Sequence, residues 1–137
     1  MFKTVLFPVD QSRETREAAD VVVNVVQTYK SRLILLSVLA QSGPEAESPP
    51  AEKGMSPEAI EELLQTAKAL FQEQGIEPET MTREGMPAFT ICDVADEIGA
   101  DLIVMGCRGL GLTEEGASES VTNRVINLSP CPVLIVP

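Results

Sequence analysis

Histidine and tryptophan are absent from the 137 residues. Without an imidazole there is no Ser-His-Asp or Cys-His nucleophile, no histidine general acid or base, and none of the commonest ligand for zinc and copper. Metalloprotease and triad-hydrolase chemistry are therefore excluded. Cations are also scarce: 10 Lys and Arg stand against 21 Asp and Glu, a formal net charge of −11 that repels a nucleic-acid backbone. The cations gather in no cluster, so nucleic acid is not expected as a partner. Three cysteines, Cys92, Cys107 and Cys131, have an odd count and no C-x-x-C spacing, and no charged segment followed by an apolar one opens the chain. A cytoplasmic location is expected. No apolar run approaches the ~20 residues of a membrane helix, so no membrane association is expected either.

What remains is aliphatic. Apolar residues make up 44% of the chain and aromatics only 4%, so the core must be built from Val, Ile, Leu and Ala. A chain of this length forms one domain that buries roughly 70% of its unfolded surface. Thr4 to Val9 (TVLFPV) reads as a short strand covered on both faces and stops at Asp10. Ser12 is placed to cap a helix whose Ala18, Ala19, Val22, Val25, Val26 and Tyr29 recur at spacings of three and four. Arg32 to Leu39 is a second buried strand. Residues 40–55, mostly Ser, Gly, Pro, Glu and Ala, show no periodicity and read as a flexible insertion within the single domain 1–137.

Ser56-Pro57-Glu58 starts a second helix, running through Ile60, Leu63, Leu64, Ala67, Leu70 and Phe71 to Gly75. A strand from Glu79 to Glu84 turns at Gly85-Met86-Pro87 into a third helix, with Phe89, Ile91, Val94, Ala95 and Ile98 on one face and Gly99 at its end. Asp101 to Met105 is a further buried strand. A glycine-bearing loop from Gly106 to about Ser118, a short helix to Asn127 and a last strand, Pro132 to Val136, complete the chain. Short buried strands alternating with amphipathic helices require a parallel sheet with helices on both faces, because each parallel pair needs a right-handed crossover. Ligands of such sheets bind at the carboxyl ends of the strands where the strand order reverses. Asp10 and the loop after Met105 face one crevice if their strands are neighbours there.

Gly106-Cys107-Arg108-Gly109 leaves that strand directly, and the loop reaches a helix near Glu119-Ser120-Val121. Glycines let backbone amides approach a ligand closely, and a helix N-terminus offers unpaired N–H groups to an anion, so a phosphate site is one reading. The other is that these glycines only end a strand and turn the chain. Asp10 likewise admits two roles, ligand contact or the cap of the following turn.

The matching stretches PVDQS (Pro8 to Ser12), IVMGCRG (Ile103 to Gly109), ESVTNRV (Glu119 to Val125) and SPCPVLIVP (Ser129 to Pro137) make the chain resemble the universal stress protein family from Lys3 to Val136. The resemblance implies a three-layer, flavodoxin-like α/β sandwich with a five-stranded parallel sheet of order 3-2-1-4-5, related to the adenine nucleotide alpha hydrolases. It implies a homodimer through Val133 to Val136 and ATP or AMP as ligand; Mg or Mn enters only by the chemistry of Glu119, since hard divalent cations take carboxylate and phosphate oxygens. Carried over by position, Asp10 would hold the ribose or the base edge, with the backbone around Pro8, Val9 and Val38 flanking the base. Met105 and Gly106 would line the floor, and Gly109 would admit the phosphates beside Arg108, the one nearby cation in the sequence. Ser120, Val121 and Thr122 would close around them.

Two positions depart from the family's pattern. Where glycine is usual, beyond Gly109, stands Glu119, and Gln11 follows the first-strand Asp. At ~4 Å and an effective dielectric near 20, a carboxylate against a phosphate costs about 4 kcal/mol before screening, enough to cancel much of a micromolar affinity. Either Glu119 points to solvent, or a divalent metal bridges it to phosphate, or the pocket takes a short ligand such as AMP or none. A regulatory nucleotide-binding module is the leading expectation. The alternatives are a slow metal-dependent nucleotide hydrolase using Glu119 or Asp10, and a nucleotide-free dimeric interaction protein.

Overall fold

The computed structural model describes residues 2–9, 13–40, 57–106 and 117–136. In chain order these are β1 (Thr4–Pro8), α1 (Arg13–Tyr29), β2 (Arg32–Ala40), α2 (Pro57–Gln72), β3 (Glu79–Gly85), α3 (Pro87–Ile98), β4 (Leu102–Gly106), α4 (Ala117–Leu128) and β5 (Val133–Val136). The strands form one parallel sheet of order β3-β2-β1-β4-β5, as expected. Of the insertion read from sequence over residues 40–55, Ala40 is the last residue of β2 and 41–55 lie outside the described residues, as do Ser12 and the loop 107–116.

Alternation along each strand divides the apolar residues between two cores. Val5, Phe7, Val9, Leu33, Leu35, Leu102 and Val104 face α1 and α2, meeting Ala18, Val22, Val26, Leu64 and Phe71. Leu6, Ile34, Leu36, Ile103 and Met105 face α3 and α4, meeting Ala88, Ile91, Val94, Ala95 and Val125. This double coverage is why the central strands read as unbroken apolar runs rather than as alternating ones.

Three apolar residues assigned from sequence to buried helix faces are exposed instead: Tyr29, Leu70 and Phe89. In α3 the buried stripe is Ala88, Ile91, Cys92, Val94 and Ala95. Phe89 follows Ala88 by 100° and falls off the stripe's flank, while the smaller Ala88 and Cys92 let the helix sit close on the sheet. Tyr29 retains one partner, packing edge-on against Phe2 with ring centroids 5.2 Å apart.

Three helices end alike. A residue in the left-handed region, Lys30, Gly75 or Gly99, is followed by an N–H that reaches back to the last turn. The bonds are Ser31 N to Val26 O (3.0 Å), Ile76 N to Phe71 O (3.0 Å) and Ala100 N to Ala95 O (2.8 Å). Only the first of these turns places a side-chain-bearing residue at positive φ, 53° at Lys30. Lys30→Gly is therefore expected to stabilise the fold by about 1 kcal/mol, the left-handed penalty less the extra freedom of glycine in the unfolded chain. Urea titration checks this as a raised midpoint with an unchanged slope.

At the amino end of the sheet Asp101 fastens β4 to β1. Its carboxylate accepts the N–H groups of Lys3 and Thr4, each at 3.0 Å, and its own N–H donates to Thr4 O at 2.7 Å. Beside it, Arg32 of β2 forms a two-pronged ion pair with Glu79 of β3, the second prong at 2.9 Å. The guanidinium holds the Glu79 carboxyl below its ordinary range, so the stabilisation is present at neutral pH and lost as pH falls through that lowered value. Both groups are exposed, which keeps the contribution small.

Candidate functional site

The strand order reverses between β1 and β4: β1 continues toward α1 on one face of the sheet, β4 toward α4 on the other. A crevice at the carboxyl ends is the consequence of that divergence. Its base is built from neighbouring strands. Val9, 5% exposed, extends the β1–β2 ladder one residue past β1 through Val9 N to Leu36 O at 2.8 Å. Met105, 8% exposed, ends the buried part of β4, and Gly106 closes the strand in register with Val136. Val38 of β2 is partly buried against the same core as Met105, and Pro8 pairs with Leu36. Pro8, Val9, Val38, Met105 and Gly106 thus stand together at the ends of three adjacent strands.

Glu119, Ser120, Val121 and Thr122 lie in the first two turns of α4, which begins at Ala117 and is a full 12-residue helix rather than the short one expected. The N-terminal end of α4 follows β4 and so opens toward the carboxyl side of the sheet. Asp10, Arg108 and Gly109 lie outside the described residues.

Sequence reasoning missed two features of this end of the sheet. Ser37 is the one buried polar side chain among the described residues, 4% exposed, in β2 beside Val38. Its signal was a lone hydroxyl interrupting the apolar run Leu33 to Leu39. The second feature is the corner from β3 into α3. Gly85, at φ 152°, pairs with Ala40, and a Cβ on it would lie 2.6 Å from Thr90 Oγ1. Met86 then occupies the N-cap of α3 without a side-chain hydrogen bond, its carbonyl accepting Thr90 N at 2.8 Å.

The electrostatics are those of an acidic protein. Arg83, in register with Val38, is engaged by Glu97 at 3.0 Å. Among the described residues no group of three or more His, Cys, Asp or Glu is placed to hold a metal ion. Burial pushes the Cys92 and Cys131 thiols up from their ordinary value, which lowers their thiolate fraction. Cys92 is part of the α3 core and Cys131 packs against it. No described helix is long and apolar enough to cross a membrane.

A doubly wound parallel sheet whose order reverses between β1 and β4 defines a flavodoxin-like, Rossmann-type α/β protein. Its strand-end residues narrow that class. The pattern of the universal stress protein family matches residues 1–137, and the chain belongs to that family. Universal stress protein Sll1654 of Synechocystis sp. is 61% identical over 137 residues, covering 100% of this chain and 87% of the relative. Among solved structures, hypothetical protein MJ0577 superposes with a TM-score of 0.83 at 28% identity, over 99% of this chain and 96% of that one. A universal stress protein solved in complex with cAMP gives a TM-score of 0.77 at 26% identity, over 99% of this chain and 97% of its own.

Proposed function

We propose that this protein is a cytoplasmic regulatory module that binds an adenine nucleotide, AMP or ATP, at the carboxyl ends of β1, β2 and β4. The whole chain serves as one domain. The observation that carries this reading is the meeting of Val9, Val38, Met105 and Gly106 on adjacent strand ends, with the α4 N-terminus following β4. The cAMP complex of a relative sharing 26% identity supports it. An apolar floor suits a purine, and the first-turn amides of a helix suit a phosphate. In this reading Asp10 holds the ribose, Gly109 and Arg108 border the phosphates, and Ser120, Val121 and Thr122 close the site.

Pairing through β5 gives the proposed homodimer. Val133 to Val136 are all apolar, and Leu134 remains 37% exposed on that edge strand. Such an edge invites a second strand, whereas the opposite edge, β3, carries Glu79, Arg83 and Glu84.

The test begins with the protein as purified: denaturation followed by chromatography of the supernatant is expected to release adenine nucleotide. Titration calorimetry with AMP and ATP, with and without Mg²⁺, then measures affinity while phosphate release is followed. Binding without turnover is the expected result. No binding of either nucleotide at millimolar concentration overturns the reading, and metal-dependent turnover makes the protein a hydrolase. Glu119→Gly removes one negative charge from the first turn of α4, where a triphosphate carries more opposing charge than a monophosphate. It is expected to tighten ATP more than AMP. Equal or weaker ATP binding removes the electrostatic argument.

A further inference from the structure

The corner from β3 into α3 breaks two local preferences at once. Met86 is 52% exposed and Phe89, in the first turn of α3, is 47% exposed. Neither belongs to either core, so two large apolar side chains keep half their surface in water at one spot. Met86 also occupies the N-cap of α3, a position where Ser, Thr, Asp or Asn would satisfy an amide of the first turn. Local preferences given up together, with no gain in packing, mark a place held for binding rather than for stability.

The fold puts this corner beside the crevice. Arg83 pairs with Val38 and Gly85 with Ala40, the last pair of the ladder, so Met86 leaves β3 next to the carboxyl end of β2. Ala88, between Met86 and Phe89 in the chain, is buried in the same core on which Val38 packs. The first turn of α3, which carries Phe89, thus stands on the core whose carboxyl-end members are Val38 and Met105.

We propose that Met86 and Phe89 form an apolar platform for the purine of the bound nucleotide, making this corner a determinant of base specificity. The proposal rests on the adenine-nucleotide reading above. A thioether and a phenyl ring both contact the faces of flat π-systems favourably. The size also decides between occupants: two side chains match a purine, whereas a stable protein partner needs about 800 Å² on each side. Specificity here comes from area and shape, because neither side chain hydrogen-bonds to a base edge as a conventional donor.

The test uses the full chain and separates base from sugar phosphate. AMP and ribose 5-phosphate are titrated into the wild type, into Phe89→Ser combined with Met86→Ser, and into Phe89→Tyr. The double variant is expected to bind AMP about tenfold more weakly, as loss of a base–aromatic contact implies, with ribose 5-phosphate affinity unchanged. Phe89→Tyr is expected to keep wild-type AMP affinity. The double variant should melt no lower than the wild type, since Met86→Ser supplies the missing cap hydroxyl. Unchanged AMP affinity in the double variant overturns the platform while leaving the nucleotide reading intact. Equal losses for AMP and ribose 5-phosphate, or a changed sedimentation mass, also overturn it, the latter marking the corner as a protein contact. A wild type that binds no nucleotide ends both proposals together.

Discussion

Phe71→Ala is expected to destabilise the protein by about 4 kcal/mol, read as a lowered urea midpoint. Phe71 is 1% exposed in the last turn of α2, and its ring meets Phe7 of β1 edge to face, centroids 6.1 Å apart and planes at 88°. Few aromatics serve this core, so the space vacated is bounded by Val and Leu side chains already held by strand and helix backbones. Such a site collapses poorly, which places the cost toward the upper half of the usual range. Against a typical domain stability of about 5–15 kcal/mol, the loss removes between about a quarter and most of the total. The ring pair itself accounts for a smaller part: a cycle of Phe7→Leu and Phe71→Leu is expected to show a coupling of about 1 kcal/mol. Because Phe7 precedes Val9 by two residues on the same face, the double variant should also weaken the nucleotide binding proposed for the end of β1.

Gly85→Ala is expected to cost about 3 kcal/mol by two separable causes. The backbone at φ 152° strains any residue with a Cβ, and that Cβ would lie 2.6 Å from Thr90 Oγ1. Thr90→Ala removes the second cause and not the first. In the Gly85→Ala, Thr90→Ala double variant about half the loss should return, giving a favourable coupling that equilibrium denaturation can measure. Full additivity of the two single changes would show that the clash is relieved elsewhere, for instance by rotation of the Thr90 side chain. The corner at Gly85 sets the direction in which α3 leaves β3, and thereby the position of Met86 and Phe89.

The strands were legible because burial on both faces leaves an unambiguous mark: Leu33 to Leu36 and Leu102 to Met105 tolerate no polar residue. Helix ends were legible where Pro or Gly punctuates them, at Pro57, Pro87 and Gly99. Strand order is a different matter. Nothing in the periodicity says that β1 lies between β2 and β4, and the order 3-2-1-4-5 came with the family resemblance. The exposure of Tyr29, Leu70 and Phe89 was not legible, because spacings of three and four admit two overlapping stripes on a helix, and the choice between them depends on side-chain size against the sheet. Of the site, the residues at strand ends, Val9, Val38, Met105 and Gly106, could be placed once order was known. The role proposed for the β3–α3 corner could not, since Gly85-Met86-Pro87 reads from sequence only as a turn. Asp101, whose carboxylate holds the amides of Lys3 and Thr4 across 98 and 97 residues of chain, likewise carries no local signal of that contact.

The unlike rims of the sheet bear on how far assembly can proceed. A rim bearing Glu79, Arg83 and Glu84 discourages a neighbouring chain, while the rim at Val133 to Val136 welcomes one. An antiparallel, two-fold union there would bury the receptive rim of each copy against its own equivalent and turn both charged rims outward. Growth would then stop at two subunits, a closed unit with no receptive rim left for fibrous polymerisation, and a destabilising change in β5 would reopen that route.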